Sequence, residues 1–173
     1  MDISLFILHA LVGLLFVGHG AQKLFGVLGG HGIRGTAGFM ESLGLRPGRF
    51  NAVTAGTAEL VGGVLLALGL LLPLGAALVI AVMVTAILTV HASKGVWNTD
   101  GGWEFNAVLI AAATVLAGVG GGELALDTAL GLDLTSEGWA LAALGAGVLG
   151  GIVAVIAGRA AGVRGQGPHA QAA

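Results

Sequence analysis

The chain has 173 residues, of which 56% are hydrophobic and 9% charged, with a formal net charge of −2 and no cysteine. Soluble domains carry about 25% charged residues, so this balance excludes a soluble globular protein and defines an integral membrane protein. The missing cysteines exclude a disulfide framework, thiolate metal sites and redox chemistry on the chain's own thiols, and the small net charge supports neither a nucleic-acid partner nor a polybasic lipid surface.

A membrane span takes about 20 apolar residues, and the first such segment is Ile3 to Ala21. Asp2 stands where a signal peptide would carry basic residues and no small-residue cleavage site follows, so this segment reads as an uncleaved anchor. The loop behind it is glycine-rich from Val27 to Gly38. It runs into a short helix, Thr36 to Leu43, with Phe39, Met40 and Leu43 on one side, Gly44 as its stop, and Arg46 and Arg49 behind. That pattern describes a small helix lying at the membrane interface. No strand precedes these glycines, so their spacing is not a nucleotide site.

The second and third spans, Ala52 to Leu72 and Leu74 to His91, share one apolar run that Pro73 and Gly75 break. The fourth, Phe105 to Val119, is short and draws Trp103, Glu104 and the glycines 120–122 into the interface. The fifth is Trp139 to Ala157, and residues 159–173 read as a disordered cytoplasmic tail. Lysine and arginine collect on the cytoplasmic side of short loops. With five spans and the N-terminus outside, all seven basic residues fall on one side: Lys23, Arg34, Arg46, Arg49, Lys94, Arg159 and Arg164. The other side then holds Asp2 and the acidic loop with Glu123, Asp127, Asp133 and Glu137.

Small residues mark the faces by which membrane helices approach one another. In the second span Ala52, Gly56, Glu59 and Gly63 recur at helical spacing. In the fifth, Ala143, Gly147, Gly151, Ala154 and Gly158 form a stripe for packing or oligomerisation. Leu141, Leu144, Val148, Ile152 and Val155 are expected on its reverse side, against lipid.

Glu59 is the single charged residue between Asn51 and Val90. A carboxylate in hydrocarbon is costly unless it faces a partner or water, so it points into the bundle and marks a functional site or a structural hydrogen bond across helices. Placed by depth at about 1.5 Å per residue, His19, Gln22, Lys23, Thr89, His91, Trp103, Glu104 and Asn106 converge with Glu59 in the cytoplasmic half. Thr85 and Thr114 fall near the depth of Glu59, and His9 lies toward the outer face. The polar partner of Glu59 is expected among His19, Gln22, Thr85, Thr89, His91, Asn106 and Thr114, while Lys23 reads more readily as a positive-inside anchor.

Four segments carry a family resemblance. Gly18-His19-Gly20-Ala21-Gln22-Lys23-Leu24-Phe25-Gly26, Gly38-Phe39-Met40-Glu41-Ser42-Leu43-Gly44, Ala58-Glu59-Leu60-Val61-Gly62-Gly63 with Gly69, and Gly101-Gly102-Trp103-Glu104-Phe105-Asn106, in that order, resemble the DoxX family. The resemblance covers roughly residues 1–134, the family's four-helix unit, and leaves 135–158 as an additional transmembrane helix. It implies a bacterial inner (plasma) membrane protein tied to redox biology. The family name derives from a thiosulfate:quinone oxidoreductase, and relatives are linked to quinone resistance and to membrane complexes that counter oxidative and thiol stress. The added helix favours a homo-oligomer or a subunit of a larger complex.

The expectation is therefore an all-α membrane bundle that binds a quinone-like or other small apolar redox ligand in its cytoplasmic half, as a subunit of a quinone-linked oxidoreductase assembly in the lipid bilayer. Glu59 and His19 would exchange protons with the ligand. Gln22, Lys23, Thr89, His91, Trp103, Glu104 and Asn106 would line its site, with the tryptophan rim holding the ring and no metal expected. Two other roles compete: a structural anchor that recruits soluble redox enzymes, and a proton-coupled transporter of small solutes using Glu59.

Overall fold

The structure, a computed structural model, describes residues 2–164. They are helical almost throughout: α1 (Asp2–Phe25), α2 (Gly32–Ser42), α3 (Gly48–Leu68), α4 (Leu72–Ala86), α5 (Glu104–Val119), α6 (Leu126–Ala129) and α7 (Glu137–Arg164). Helix α4 continues through a wide π-turn, Ile87–His91, and a short 3-10 turn, Ala92–Lys94. The fold is the all-α membrane bundle expected. Helices α1, α3, α4 with its extension, and α7 are long and apolar enough to cross a bilayer, and α5 is apolar but shorter, at 16 residues. Those residues rise about 24 Å against a hydrocarbon core of about 30 Å.

Backbone proximity, allowed by glycine, sets the packing. A Cβ added at Gly13 would lie 2.2 Å from the backbone N of Ala67, and one at Gly20 would lie 2.6 Å from that of Leu60. From the other helix, a Cβ at Gly63 would lie 2.6 Å from the N of Val17. Numbers rise along α1 as they fall along α3, so the two helices cross antiparallel with glycine against backbone at both ends of the seam. The opposite ridge of α1, through Ile3, Ile7, Leu11 and Leu14, is exposed and faces lipid. Helix α4 is apolar all round and sits centrally against α3, α5 and α7, with Val79 and Ile80 fully buried.

At one end of the bundle the α3–α4 turn is capped from α6. The break between the second and third spans falls at Gly69, not at Pro73 and Gly75, which lie in the first turns of α4, where proline is tolerated: Gly69 ends α3 in the left-handed conformation (φ 62°), its N–H donates to Leu66 O and that of Leu70 to Leu65 O. The buried Asp127 carboxylate then accepts from the N–H groups of Leu71 (2.7 Å) and Leu72 (3.1 Å), the donors that the first turn of α4 leaves open. His9 is buried beside this turn, its Nδ1–H donating to Leu66 O at 2.9 Å. Basic side chains gather at the other end, where the N–H of Arg46 donates to Gly158 O at 3.0 Å and ties the α2–α3 connection to α7.

The small-residue stripe of α7 does pack inward. A Cβ at Gly147 would meet Ile80 Cβ at 2.6 Å, one at Gly151 would meet Ala81 O at 2.7 Å, and Gly158 lies over Leu45. Leu144, Val148 and Val155, expected on the lipid side, instead turn toward the bundle: the first two pack against the core and Val155 is 5% exposed, because 144, 148, 151 and 155 succeed one another by helical turns and extend the same face. Leu141 and Ile152 do face outward. Helix α7 reaches Arg164, past the expected start of the tail at 159, and the rest of that tail lies outside the described residues.

Gly63→Ala is expected to lower the thermal unfolding midpoint in detergent, costing about 1–3 kcal/mol by overpacking the α1–α3 seam. Gly145→Ala, where nothing stands within 4 Å of the new Cβ, serves as the control. Equal midpoints for the two variants would show that the seam does not set stability.

Candidate functional site

The α1–α3 crossing dictates what meets at its basic end. Gly20 on α1 and Gly56 on α3 let the backbones touch, and one turn beyond each comes Lys23 and Glu59. A Cβ at Gly56 would lie 3.2 Å from Lys23 Cβ, so the missing side chain of Gly56 makes room for the lysine stem. Lys23 Nζ then donates to both carboxylate oxygens of Glu59, at 2.7 and 2.6 Å. Glu59 is 2% exposed and the Lys23 side chain 26%. Glu59 thus points inward with a polar partner, as its cost in hydrocarbon demands. The partner is Lys23 rather than any of the neutral groups or histidines expected, because α1 runs on to Phe25 and carries the ammonium inside the bundle instead of at its rim.

This pair borders a cleft of about 320 Å³ between α1, α2, α3, α4 and α5. Its walls are mostly apolar: Phe16, Met40, Leu43, Ala55, Val82, Met83 and Leu109, with Phe39 and Phe105. The polar groups among them are His19, Lys23, Glu59, Thr85, Thr89, His91, Asn98 and Asn106. Beneath the cleft Val12, Val79, Ile80 and Leu116 are packed and buried.

Three local features shape the wall. Thr85 and Thr89 each donate to a carbonyl one turn back, Ala81 O (2.9 Å) and Thr85 O (2.7 Å). Such back-bonding accompanies bent helices, and the π-turn at Ile87–His91 swings Thr89 and His91 onto the cleft. Second, His91 Nδ1–H donates to Gly101 O at 2.7 Å. Third, Gln22 Nε2 donates to Leu28 O at 2.9 Å, so its Oε1 is the atom facing His19 Nδ1 at 3.2 Å. Leu28 holds its carbonyl there from a left-handed conformation, φ 52°, unusual for a branched side chain.

Of the residues expected at the site, Glu59, His19, Lys23, Thr89, His91 and Asn106 come together on the cleft. Gln22 does not line it; it faces a separate polar recess with Gly29, Gly30, His31 and Thr36, and acts on the cleft through His19. Trp103 and Glu104 also fall outside. Trp103 caps α5, and Glu104 Oε1 accepts from the N–H of Asn98 at 2.9 Å, so both build the loop that delivers Asn98 and the Gly101 carbonyl. The tryptophan rim is replaced by Phe16, Phe39 and Phe105. Thr114 bonds to Ile110 O and is absent from the cleft wall. Asn98 went unread because nothing in a loop sequence reports the direction of one amide. Among the described residues no three His, Asp or Glu side chains gather as a metal-binding group.

A multi-pass helical membrane bundle with an ion pair and two histidines on an apolar cleft is the class of protein these observations define. The chain belongs to the DoxX family, whose family model matches residues 4–92, just over half of its length and including the Lys23–Glu59 pair. The Gly101–Asn106 segment, α5 and α7 lie beyond that match. Neither the curated proteins nor the solved structures contain a match.

Lys23→Met is expected to destabilise the fold by about 3–5 kcal/mol, since it leaves a buried carboxylate without its partner. Adding Glu59→Leu should restore most of that loss. Detergent unfolding of both variants tests it, and a double variant no more stable than Lys23→Met would show that the two side chains are not coupled.

Proposed function

We propose that this DoxX protein binds a quinone-like ring in the cleft beside Lys23 and Glu59, as the membrane subunit of a redox-linked assembly in the bacterial inner membrane. The observation that carries this reading is the make-up of the cleft. Apolar walls enclose about 320 Å³ beside a charged pair and a few neutral polar groups, the composition and size of a site for a small, mostly apolar molecule. The basic residues gather at the cleft end, which supports an N-terminus outside and a cleft that opens toward the cytoplasm.

The fit to a quinone rests on complementary parts. Phe16, Phe39 and Phe105 offer faces and edges to a flat ring. Lys23 has one ammonium hydrogen beyond the two held by Glu59, free to donate to a ligand oxygen. When bound, a quinone would supply two-electron, two-proton chemistry. On the protein side, Glu59 holds a proton-accepting carboxylate at the ring, His19 and His91 offer further basic nitrogens, and the buried floor excludes water from the far side. A transporter would need a polar path onward from Glu59, and Val12, Val79, Ile80 and Leu116 pack directly below the cleft.

The test is to purify the full chain in native-lipid discs and quantify co-purifying isoprenoid quinones by mass spectrometry. The wild type should carry quinone, and the Lys23→Met/Glu59→Leu variant at least tenfold less. Equal quinone in both preparations, or none in the wild type, would refute the assignment.

A further inference from the structure

Two imidazole nitrogens on the cleft are set as acceptors by what the other side of each ring bonds to. A backbone carbonyl only accepts, so the neutral His91 ring that bonds Gly101 O must carry its proton on Nδ1 and leave Nε2 as a bare lone pair. The same logic holds one step removed at His19: Gln22 turns its amide nitrogen to Leu28 O, presents Oε1 to the ring, and so places the His19 proton on Nδ1. Neither Nε2 has a protein partner among the described residues. Thr89 has used its single hydroxyl hydrogen on Thr85 O and keeps oxygen lone pairs alone, while the Thr85 hydroxyl is turned to Ala81 O and to Gly151 O of α7. Asn106 turns its amide N–H toward Met83 Sδ at 3.3 Å, so its carbonyl oxygen is the atom without a partner. The hydrogens left over are one on Lys23, one on the Asn106 amide and those of the Asn98 amide at the mouth, none of which reaches the two imidazole nitrogens as a partner.

We infer that the cleft selects the reduced, dihydroxy form of its ring ligand over the dione. This rests on the ring-binding function proposed above and adds the redox state of the ligand. A hydroquinone brings two O–H donors to the Nε2 lone pairs of His19 and His91, whereas a quinone brings two acceptors and leaves both lone pairs without a hydrogen. Gln22 and the Leu28 carbonyl are then positioning residues, because they set which nitrogen of His19 meets the ligand. One net hydrogen bond is worth up to about 1.5 kcal/mol, on the order of tenfold in affinity.

The experiment is anaerobic equilibrium binding of decyl-hydroquinone and of decyl-benzoquinone to the full chain in lipid discs. The hydroquinone should bind about tenfold more tightly. His91→Phe, which keeps a flat ring and removes the acceptor, should narrow that ratio by at least threefold. Binding of the dione as tightly as the hydroquinone, or an unchanged ratio in His91→Phe, overturns the preference while leaving the ring site intact. Binding of neither form overturns both.

Discussion

The contact between α1 and α3 is the constraint on which the rest depends. Lipid offers no hydrophobic drive for one apolar helix to join another, so association rests on close packing and on the few polar contacts available. Glycines on both helices bring backbone against backbone, and this closeness has a chemical result. Lys23 and Glu59 are 36 positions apart in sequence and reach one another only if the helices cross at Gly20 and Gly56. The pair is therefore a readout of the crossing. It gives little net stability, since removing two charges from water offsets most of their attraction. What it supplies is specificity: a carboxylate and an ammonium at a defined place on an apolar cleft.

The two ends of the bundle are built differently. At the acidic end, Asp127 occupies the open donors of α4 and Ala125 packs against the Gly69 and Gly121 backbones, so the polar groups there are largely used in holding helices together. At the basic end α4 loosens into a π-turn, α2 lies across the opening, and several polar atoms keep lone pairs without partners. Closed packing at one end lets the other stay open and reactive without loss of the fold.

The divergent roles of neighbouring polar residues follow from where their hydrogens go. Gln22 and Glu104 are as polar as Asn106, yet the first two bond to loop backbone, while His19 and Asn106 border the cleft. Their contribution is geometric, through the tautomer of His19 and the reach of Asn98.

Membrane class, the existence of the long apolar helices, the inward face of Glu59 and the packing stripe of α7 were legible in the residues, because hydropathy and helical period are local properties that no distant contact alters; the start of α2, the short α6 and the α3–α4 turn at Gly69 were not, because turns and caps set them. The segregation of basic and acidic residues to opposite ends was legible for the same reason. The partner of Glu59 was not: a lysine near the end of a span can reach outward to water or inward to a carboxylate, and the choice depends on a helix crossing that one helix cannot report. Nor could sequence place Phe39, Met40 and Leu43 on the cleft wall or take Trp103 and Glu104 off it, since α2 and the loop before α5 are set by turns whose directions depend on what they pack against. Sequence determined that polar groups would gather in one half of the bundle. Tertiary structure alone decided which atoms of those groups remain free for a ligand, because each hydrogen bond that fixes a tautomer or an amide is made to a carbonyl or side chain brought near by the fold.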